Sequence, residues 1–496
     1  MELDYTKYPD VPPGYRLNEN KRAGLYQVYR DIWKEDPATG TKRIFRETIG
    51  SIRGGKFHPS DTYLLRKELE ELRKDNEDLR SRLALLPKSS EETGRQAEQV
   101  QAQVCQSIEK SRIDARRQDF VQVPMSSIVL SSVMCSLGGD TDAAALSDWA
   151  RTHRDFFERY LPGEKVESIT HDVVERALMV VDTGKFDAFY TEMTAPLIRL
   201  TANRIVAVDG QAVRATGRRS REDGAMHGAK MLLNVYDTDN RVCLSHQLID
   251  KKANEISVGF KMIEKLSLPG SIVTADAMNC QVKFAEAVLN AQADYLLSLK
   301  GNQDRSWQEV IALFAETDDS QMKKYRDGID LAHGRIESRE ISVLPGRLMS
   351  APFILKWPGL ACGSVVRERS TCTYKSTGKE SKPRYRYFIT SISPHQDCVA
   401  RIYEAIRAHW GIENNLHYVL DVYWRQDAIS AKNPCYIANR SALAKLALAF
   451  LEHYSFWLWN TGRSEGNDPL PIRTLQARCR KPEVAIECLA AGLGFI

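Results

Sequence analysis

The chain of 496 residues is predicted to fold as an α/β protein with helical and β-rich additions, and three observations carry that prediction. Residues 204–209, 230–236 and 241–249 read as three consecutive strands, and the pattern then alternates helix, strand, helix, strand up to residue 299. Two of these strands close on an acid: Asp209 follows Ile205-Val-Ala-Val208, and Asp276 follows Ile272-Val-Thr-Ala275. Far upstream, leucine recurs at every seventh position from Leu65 to Leu86, the period of a coiled coil.

Size and composition narrow the field. With 43% hydrophobic residues, the chain holds more core than one domain usually contains, so about two to four globular units are expected. A net charge of +4 gives no polycationic signature, and a nucleic-acid surface would have to be a local patch. Ten cysteines occur without a Cys-x-x-Cys pair, which argues against a zinc module or disulfide framework and for reduced thiols in a cytoplasmic protein. The first residues lack the basic and apolar regions of a signal peptide. Lys445, Glu452 and His453 interrupt the most apolar late segment, so no membrane span is expected.

From the N-terminus, residues 1–60 read as a small β-rich unit in which residues 24–33 and 41–49 flank a Pro-Ala-Thr-Gly turn. Lys42, Arg43, Arg46, Arg53 and Lys56 make its second half basic. That suits a DNA-binding hairpin, or equally an edge hairpin whose charges discourage aggregation. Residues 61–88 carry the heptads, with Leu65, Leu72, Leu79 and Leu86 at d and Leu69, Asn76 and Leu83 at a. One buried asparagine at an a position fixes register and oligomer state in a parallel two-stranded coil. Glu68 with Arg73, and Asp75 with Arg80, match in the g-to-e′ sense. A homodimer is therefore expected. Pro87 ends this helix, residues 89–120 read as a linker or solvated helix, and residues 121–200 as a helical domain with no chemistry of its own.

After residue 203, three antiparallel strands leading into alternating α/β give the element order of the ribonuclease-H-like fold. A third acid, Glu413, stands inside the otherwise amphipathic helix His409-Trp-Gly-Ile-Glu413-Asn-Asn-Leu-His417-Tyr-Val-Leu-Asp421-Val. Singly, an aspartate at a strand end is usually a turn or cap residue, and a helical glutamate usually faces solvent. As a trio on two strand ends and a helix, Asp209, Asp276 and Glu413 have the pattern of a two-metal phosphoryl-transfer site. In-line cleavage of a phosphodiester needs two divalent cations about 3.5–4 Å apart, and Mg²⁺ takes carboxylate oxygens while keeping several waters. Asp209, on the central strand, is the candidate bridging ligand. Lys300 and Asn302, beyond the strand after Asp276, are candidates for holding a phosphate. His409 and His417 lie one turn either side of Glu413, placed to hold DNA or simply to pack. Asp421 and Asp427 rank below the trio as oxygen donors. Trp307 and Trp357 are read as core residues before base-stacking ones.

Six motifs in order make the chain resemble the DDE transposases of bacterial insertion sequences, in the branch of the H-repeat-associated proteins. They are Val208-Asp209-Gly210, Lys252-Ala-Asn-Glu255-Ile, Ala275-Asp276-Ala-Met-Asn-Cys-Gln281, Leu299-Lys300-Gly-Asn-Gln303, His333-Gly-Arg-Ile-Glu-Ser-Arg339, and the Glu413 helix. The resemblance covers residues 125–455 and implies catalytic, metal-holding roles for Asp209, Asp276 and Glu413. It also implies two Mg²⁺ ions, with Mn²⁺ as a substitute, and double-stranded DNA as partner, both at the element's terminal inverted repeats and as target. A β-rich insertion, residues 304–383, is implied between two parts of the catalytic domain, 201–303 and 384–455, leaving 456–496 as a C-terminal tail. Within and beside the insertion, residues 374–387 interleave tyrosine with basic residues; strand geometry would send these to opposite faces. Arg335, Arg384 and Arg386 are the expected phosphate contacts there. Arg214, Arg218, Arg219 and Arg221, just after Asp209, are placed to grip a DNA backbone. The chain departs from the related motifs twice: Gln211 stands where Asp-Gly-Lys is usual, and Gln426-Asp427 where Glu-Asp is usual. The implied activity is cleavage and strand transfer at one site. A catalytically silent DNA-binding descendant and a nuclease that does not join remain the alternatives.

Overall fold

Two units, Met1–Pro87 and Lys88–Ile496, make up the chain. The computed structural model describes residues 11, 16–20, 25–35, 42–53, 56–69, 90–114, 116, 121–199, 201, 204–219, 226–249, 255–332, 335–464 and 468–496.

In the first unit, alternating apolar residues build an antiparallel sheet in chain order, from β1 (Arg16–Asn20), β2 (Leu25–Glu35), β3 (Lys42–Arg53) and β4 (Lys56–Pro59). Val28, Ile49 and Ile52 are its buried core. The β2–β3 register slips beside Val28, opposite Gly50, where a Cβ would lie 2.3 Å from the His58 carbonyl oxygen. Only glycine admits the neighbouring strand there. The basic face is partly spent inside the unit, since Arg46 lies over the Tyr29 ring and Arg30 pairs with Glu47 at 2.7 Å. Residues 61–69 form a helix, α1, on which Leu65 and Leu69 are 65% and 50% exposed. The other heptad positions, Leu72, Asn76, Leu79, Leu83 and Leu86, lie outside the described residues.

The second unit opens with helices α2 (Ser90–Ser111), α3 (Met125–Leu137), α4 (Ala143–Thr152), α5 (Arg154–Tyr160), α6 (His171–Val180) and α7 (Thr183–Thr194). Next come β5 (Ile205–Val213), the ribbon β6 (Arg218–Arg219) with β7 (Met226–His227), β8 (Lys230–Asp237), β9 (Val242–Ile249), α8 (Glu255–Glu264), β10 (Ile272–Ala275), α9 (Val282–Asn290) and β11 (Asp294–Leu299). The remainder holds α10 (Asp304–Glu316), β12 (Lys323–Ala332), β13 (Arg335–Pro345), α11 (Ala351–Lys356), β14 (Ser364–Tyr374), β15 (Arg384–Thr390), α12 (Gln396–Ala408), α13 (Tyr418–Tyr423), α14 (Pro434–Asn460), α15 (Ile472–Cys479) and α16 (Pro482–Gly492).

One mixed sheet organises this unit, in the order β12-β13-β14-β15-β11-β10-β5-β8-β9. The three central strands β5, β10 and β11 run parallel and the other pairings are antiparallel. Ile-Val-Thr-Ala on β10 is apolar throughout because both sheet faces are covered. Val206, Val208 and Val273 face Ile263, Phe284 and Val288 of α8 and α9, whereas Ile205, Ile272 and Leu296 face Val399, Ile402 and Ile406 of α12. Strands β12–β14, in the segment expected as an insertion, extend this same sheet.

A helical bundle closes around α14, which is apolar on every side and correspondingly buried along most of its length. The stretch 89–120, expected as linker or solvated helix, supplies α2; its stripe Ala97, Val100 and Val104 is buried, and the intervening Gln and Glu residues mask that period in the sequence. Residues 456–496, expected as a tail, complete α14 and add α15 and α16, whose Leu475, Ile486 and Leu489 are fully buried. Among the described residues, no helix is long and apolar enough to cross a membrane.

At the sheet's end remote from the two aspartates, the buried guanidinium of Arg204 ties three elements together. It bonds Asp237 at 3.2 Å, Ser271 Oγ at 2.9 Å and the Ser267 carbonyl at 3.2 Å. Removing one partner of such a pair leaves a buried charge uncompensated. Arg204→Met should therefore cost about 3–5 kcal/mol of unfolding free energy, read by urea denaturation with tryptophan fluorescence. A loss below about 1 kcal/mol would show the pair to be dispensable.

Candidate active site

Strand register brings the first two acids together. β5 and β10 pair in parallel with Val208 opposite Ala275, so Asp209 and Asp276 occupy the next, neighbouring positions. Asp276 follows the end of β10, whereas β5, expected to close on Asp209, runs on to Val213 and holds Asp209 mid-strand, paired with Asn234 of β8. Glu413 reaches them from the helical run after α12. All three line one recess of about 170 Å³, together with Lys300, Arg386 and His409.

Local chemistry orients each acid. Asp276 caps the short turn Ala277–Asn279, its Oδ1 accepting from the Met278 N–H at 2.9 Å. Asn302 Nδ2 donates to the Ala277 carbonyl, and Gln303 Nε2 donates to the Cys280 carbonyl at 3.1 Å. The loop after β11 thereby pins the loop after β10, and Asn302, though exposed, supports the turn that Asp276 caps. Glu413 stands on a π-helical turn, Ile412–His417, set within the helix that continues as α13. Such turns are rare and carry one residue more than α geometry allows. A regular α-helical period through 409–421 is thus not what the chain adopts.

The two histidines flanking Glu413 part company. His409 lines the recess, its Nδ1 3.0 Å from Thr274 Oγ1. Burial pushes its pKa down to about 4, the Asp276 charge opposing and those of Arg386 and Lys300 adding to the fall. His417 lies beneath the site instead, buried, with Nε2 3.0 Å from Asn234 Nδ2. Burial, with the positive charge of Lys445 adding to it, lowers its pKa to about 3. Its Nδ1 stands 3.7 Å from Asp209 Oδ2. The expectation of His417 as a DNA contact is corrected accordingly.

Asp421 and Asp427 are also spoken for. Gln211 Nε2 donates to Asp421 Oδ1 at 2.8 Å, and Arg214 stands 3.8 Å from Asp427. Neither acid lines the recess. Burial raises the Asp421 pKa, with the Gln211 hydrogen bond opposing.

Cations gather on one side. Arg386 lines the recess and pairs with the buried Glu368 at 2.5 Å, while Tyr387 packs on Phe314 with ring centroids 6.1 Å apart. That is the alternation expected of β15. Arg335, Arg384 and Arg386 line an adjoining groove of about 820 Å³ with Arg339, Arg407 and Trp410. Arg218 and Arg219 form β6, but their side chains, like all of Arg221, lie outside the described residues. Trp357 is fully buried and Trp307 packs against the same core. The tryptophan at the recess is Trp410, 42% exposed, which the sequence reading passed over although it precedes Glu413 by three residues.

Residues 201–450, half of the chain, match the model of a transposase DDE domain. The chain belongs to the DDE transposase family. Among curated relatives, it is 29% identical over 322 residues to the "H repeat-associated putative transposase YhhI" of Escherichia coli K12, covering 63% of this chain and 81% of that protein. Similarity to the "Putative transposase YncI" of Escherichia coli O157:H7 is 27% over 347 residues, 68% of this chain and 84% of the other. An uncharacterized Xanthobacter autotrophicus protein is 30% identical over 285 residues, 56% of this chain and 91% of its own.

The donor set fits hard divalent cations, which members of this family typically use: three carboxylates line the recess, with no thiol among the lining residues. Lys300 and Arg386 supply positive charge to the lining of the recess. Lys300→Gln should weaken binding to DNA irrespective of sequence and reduce the slope of log affinity against log salt by about 1. An unchanged slope in filter-binding titrations would remove Lys300 from the DNA surface.

Proposed function

We propose that this transposase binds the ends of its element as a homodimer, cuts the phosphodiester and transfers the released 3′-hydroxyl to target DNA at the same site. The observation that carries the reading is the convergence of Asp209, Asp276 and Glu413 on one recess from two adjacent parallel strands and a helix. Support also comes from the order of β9, β8, β5, β10 and β11, which is that of a ribonuclease-H-like core.

In this reading the three acids would hold two Mg²⁺ ions, or Mn²⁺ in their place, with Asp209, on the strand between β8 and β10, the candidate for the shared ligand. When bound, the cations supply a more nucleophilic attacking oxygen and offset charge on the leaving one. The chain's own groups do the rest. Lys300 and Arg386 orient the scissile strand by its phosphates. His409, its Nδ1 3.0 Å from Thr274 Oγ1, fills the wall of the recess beside Asp276. Arg335 and Arg384, in the adjoining groove, carry the flanking backbone. Exposed Leu65 and Leu69 at the start of the heptads favour pairing through residues 61–88, and free cysteines suit a cytoplasmic protein.

Cleavage of labelled element-end DNA tests the reading. Asp276→Ala and Glu413→Gln should each lower metal-dependent cutting on the order of 10³-fold or more while leaving end binding within severalfold. Undiminished cutting by either variant would sink the site assignment. Binding without cutting in both Mg²⁺ and Mn²⁺ would identify a silent DNA-binding descendant, and cutting without joining to target a nuclease. Deleting residues 65–86 should convert a dimer to a monomer in sedimentation, and an unchanged dimer would refute the coiled coil's role.

A further inference from the structure

Behind the acids runs a chain of buried side-chain amides. Gln211 and Gln426, both buried, bond each other, with Gln426 Nε2 donating to Gln211 Oε1. Ser441 Oγ donates to Gln426 Oε1 at 2.6 Å. At the other end, Gln211 Nε2 donates to Asp421 Oδ1 at 2.8 Å and to the His417 carbonyl at 3.2 Å. Chemistry forces this polarity. A carboxylate and a carbonyl only accept, so the Gln211 nitrogen must face them, its oxygen must face Gln426, and the Gln426 oxygen must face the hydroxyl.

Place gives the chain its meaning. Gln211 lies two residues beyond Asp209 on β5, hence on the same face of that strand. His417 is the last residue of the π-helical turn that carries Glu413. The Gln211 amide thus joins the strand of one acid to the turn of another through a single side chain. Insertion of a side-chain donor into a helix's row of carbonyls is a recognised cause of helix irregularity, and the irregular turn here is the one that presents Glu413. Gln426 is delivered by equally specific means. Arg425 adopts a left-handed φ of 51°, rarely used by side chains other than glycine, and Trp424 Nε1 anchors the preceding residue on the Ser136 carbonyl at 2.9 Å.

We propose that Gln211 and Gln426 form an amide clamp that sets the separation between the Asp209 strand and the Glu413 turn, and thereby the spacing of the metal-holding carboxylates. The inference rests on the site reading above, and it makes the two glutamines positioning residues that touch neither metal nor DNA. A network that served stability alone would leave the metal requirement untouched.

The test uses the full chain with Gln211→Met and Gln426→Met, which keep length and lose the hydrogen bonds. Mn²⁺ binding is measured by titration calorimetry, and the Mg²⁺ concentration for half-maximal cutting of end DNA is measured beside it. Both variants should need on the order of 10- to 100-fold more metal, with end binding in chelator within severalfold of the unsubstituted protein. The double variant Gln211→Lys with Gln426→Glu rebuilds a donor–acceptor link of similar reach. It should bring the metal requirement back to within about threefold, while Gln426→Glu alone fails as a buried charge without its partner and Gln211→Lys alone fails because its ammonium, drawn to Asp421, finds no acceptor that replaces the bond to Gln426. An unchanged requirement in Gln211→Met, or a double variant no better than its singles, overturns the clamp. Should the Met variants not fold, Ser441→Ala, which removes only the last link, carries the test: about a threefold rise supports the clamp and no rise overturns it. Unsubstituted protein whose Mn²⁺ binding is the same as that of Glu413→Gln would remove the site reading itself, and the clamp with it. Binding lost in Glu413→Gln but unchanged in the clamp variants removes the clamp alone.

Discussion

Parallel pairing of β5 with β10 is the constraint on which everything else in the second unit depends. Because Val208 sits opposite Ala275, Asp209 and Asp276 emerge side by side, and no loop has to bring them together. A slip of one residue in that register would turn every side chain of one strand to the opposite face. The slip is opposed by burial on both faces, since Val206, Val208 and Val273 are matched to one helical layer and Ile205 and Ile272 to the other. Two carboxylates are therefore held close by hydrophobic packing, which does not weaken when they carry charge.

The third acid is held by a different kind of force. Glu413 comes from a segment more than a hundred residues later in the chain, and its turn is joined to the sheet through polar contacts: Gln211 to the His417 carbonyl, His417 to Asn234, and Thr274 to His409. Directional bonds of this sort fix orientation better than apolar contact does, and they tolerate little loss, because each buried partner left unpaired costs about 1–3 kcal/mol. Packing adds to these bonds, since Ile412 and Leu416, either side of Glu413, are buried in one core with Ala207 and Tyr236 of the sheet. Both histidines stand where burial disfavours the protonated ring. A charged imidazolium in either place would have to be buried beside Arg386, Lys300 or Lys445.

Much of this was legible in the sequence where the periods are strong. The strands that carry Asp209 and lead to Asp276 stood out because each has a short apolar run followed by an acid, although β5 continues past Asp209 to Val213, and β15 because alternation of Arg and Tyr is visible by eye. The rest was hidden for physical reasons. The stripe of α2 is diluted by Gln and Glu, so its period is faint although Ala97, Val100 and Val104 are fully buried. The π-helical turn leaves no mark in composition, since the residues of an amphipathic α-helix serve as well. His417 was left open between a DNA contact and a packed residue, because its spacing from Glu413 says nothing about which way the inserted residue turns it; it is packed. Strands β12–β14 read as a separate insertion because pairing partners distant in sequence cannot be seen from either strand alone.

The two departures from the related motifs turn out to be one structural event. The chain has Gln211 where lysine is usual and Gln426 where glutamate is usual, and these two side chains meet in a buried hydrogen bond. A lysine and a glutamate in these places would form a buried ion pair, which pays for its charge only if both partners are present. Losing the lysine alone would leave the glutamate's charge buried behind Asp209, whereas a lysine left alone would still face Asp421. Changing both keeps the net charge behind the acids the same and keeps a donor facing an acceptor, so the link between strand and turn survives in neutral form. Neither change removes one of the three acids, and the contact between strand and turn is kept because both ends of it differ together.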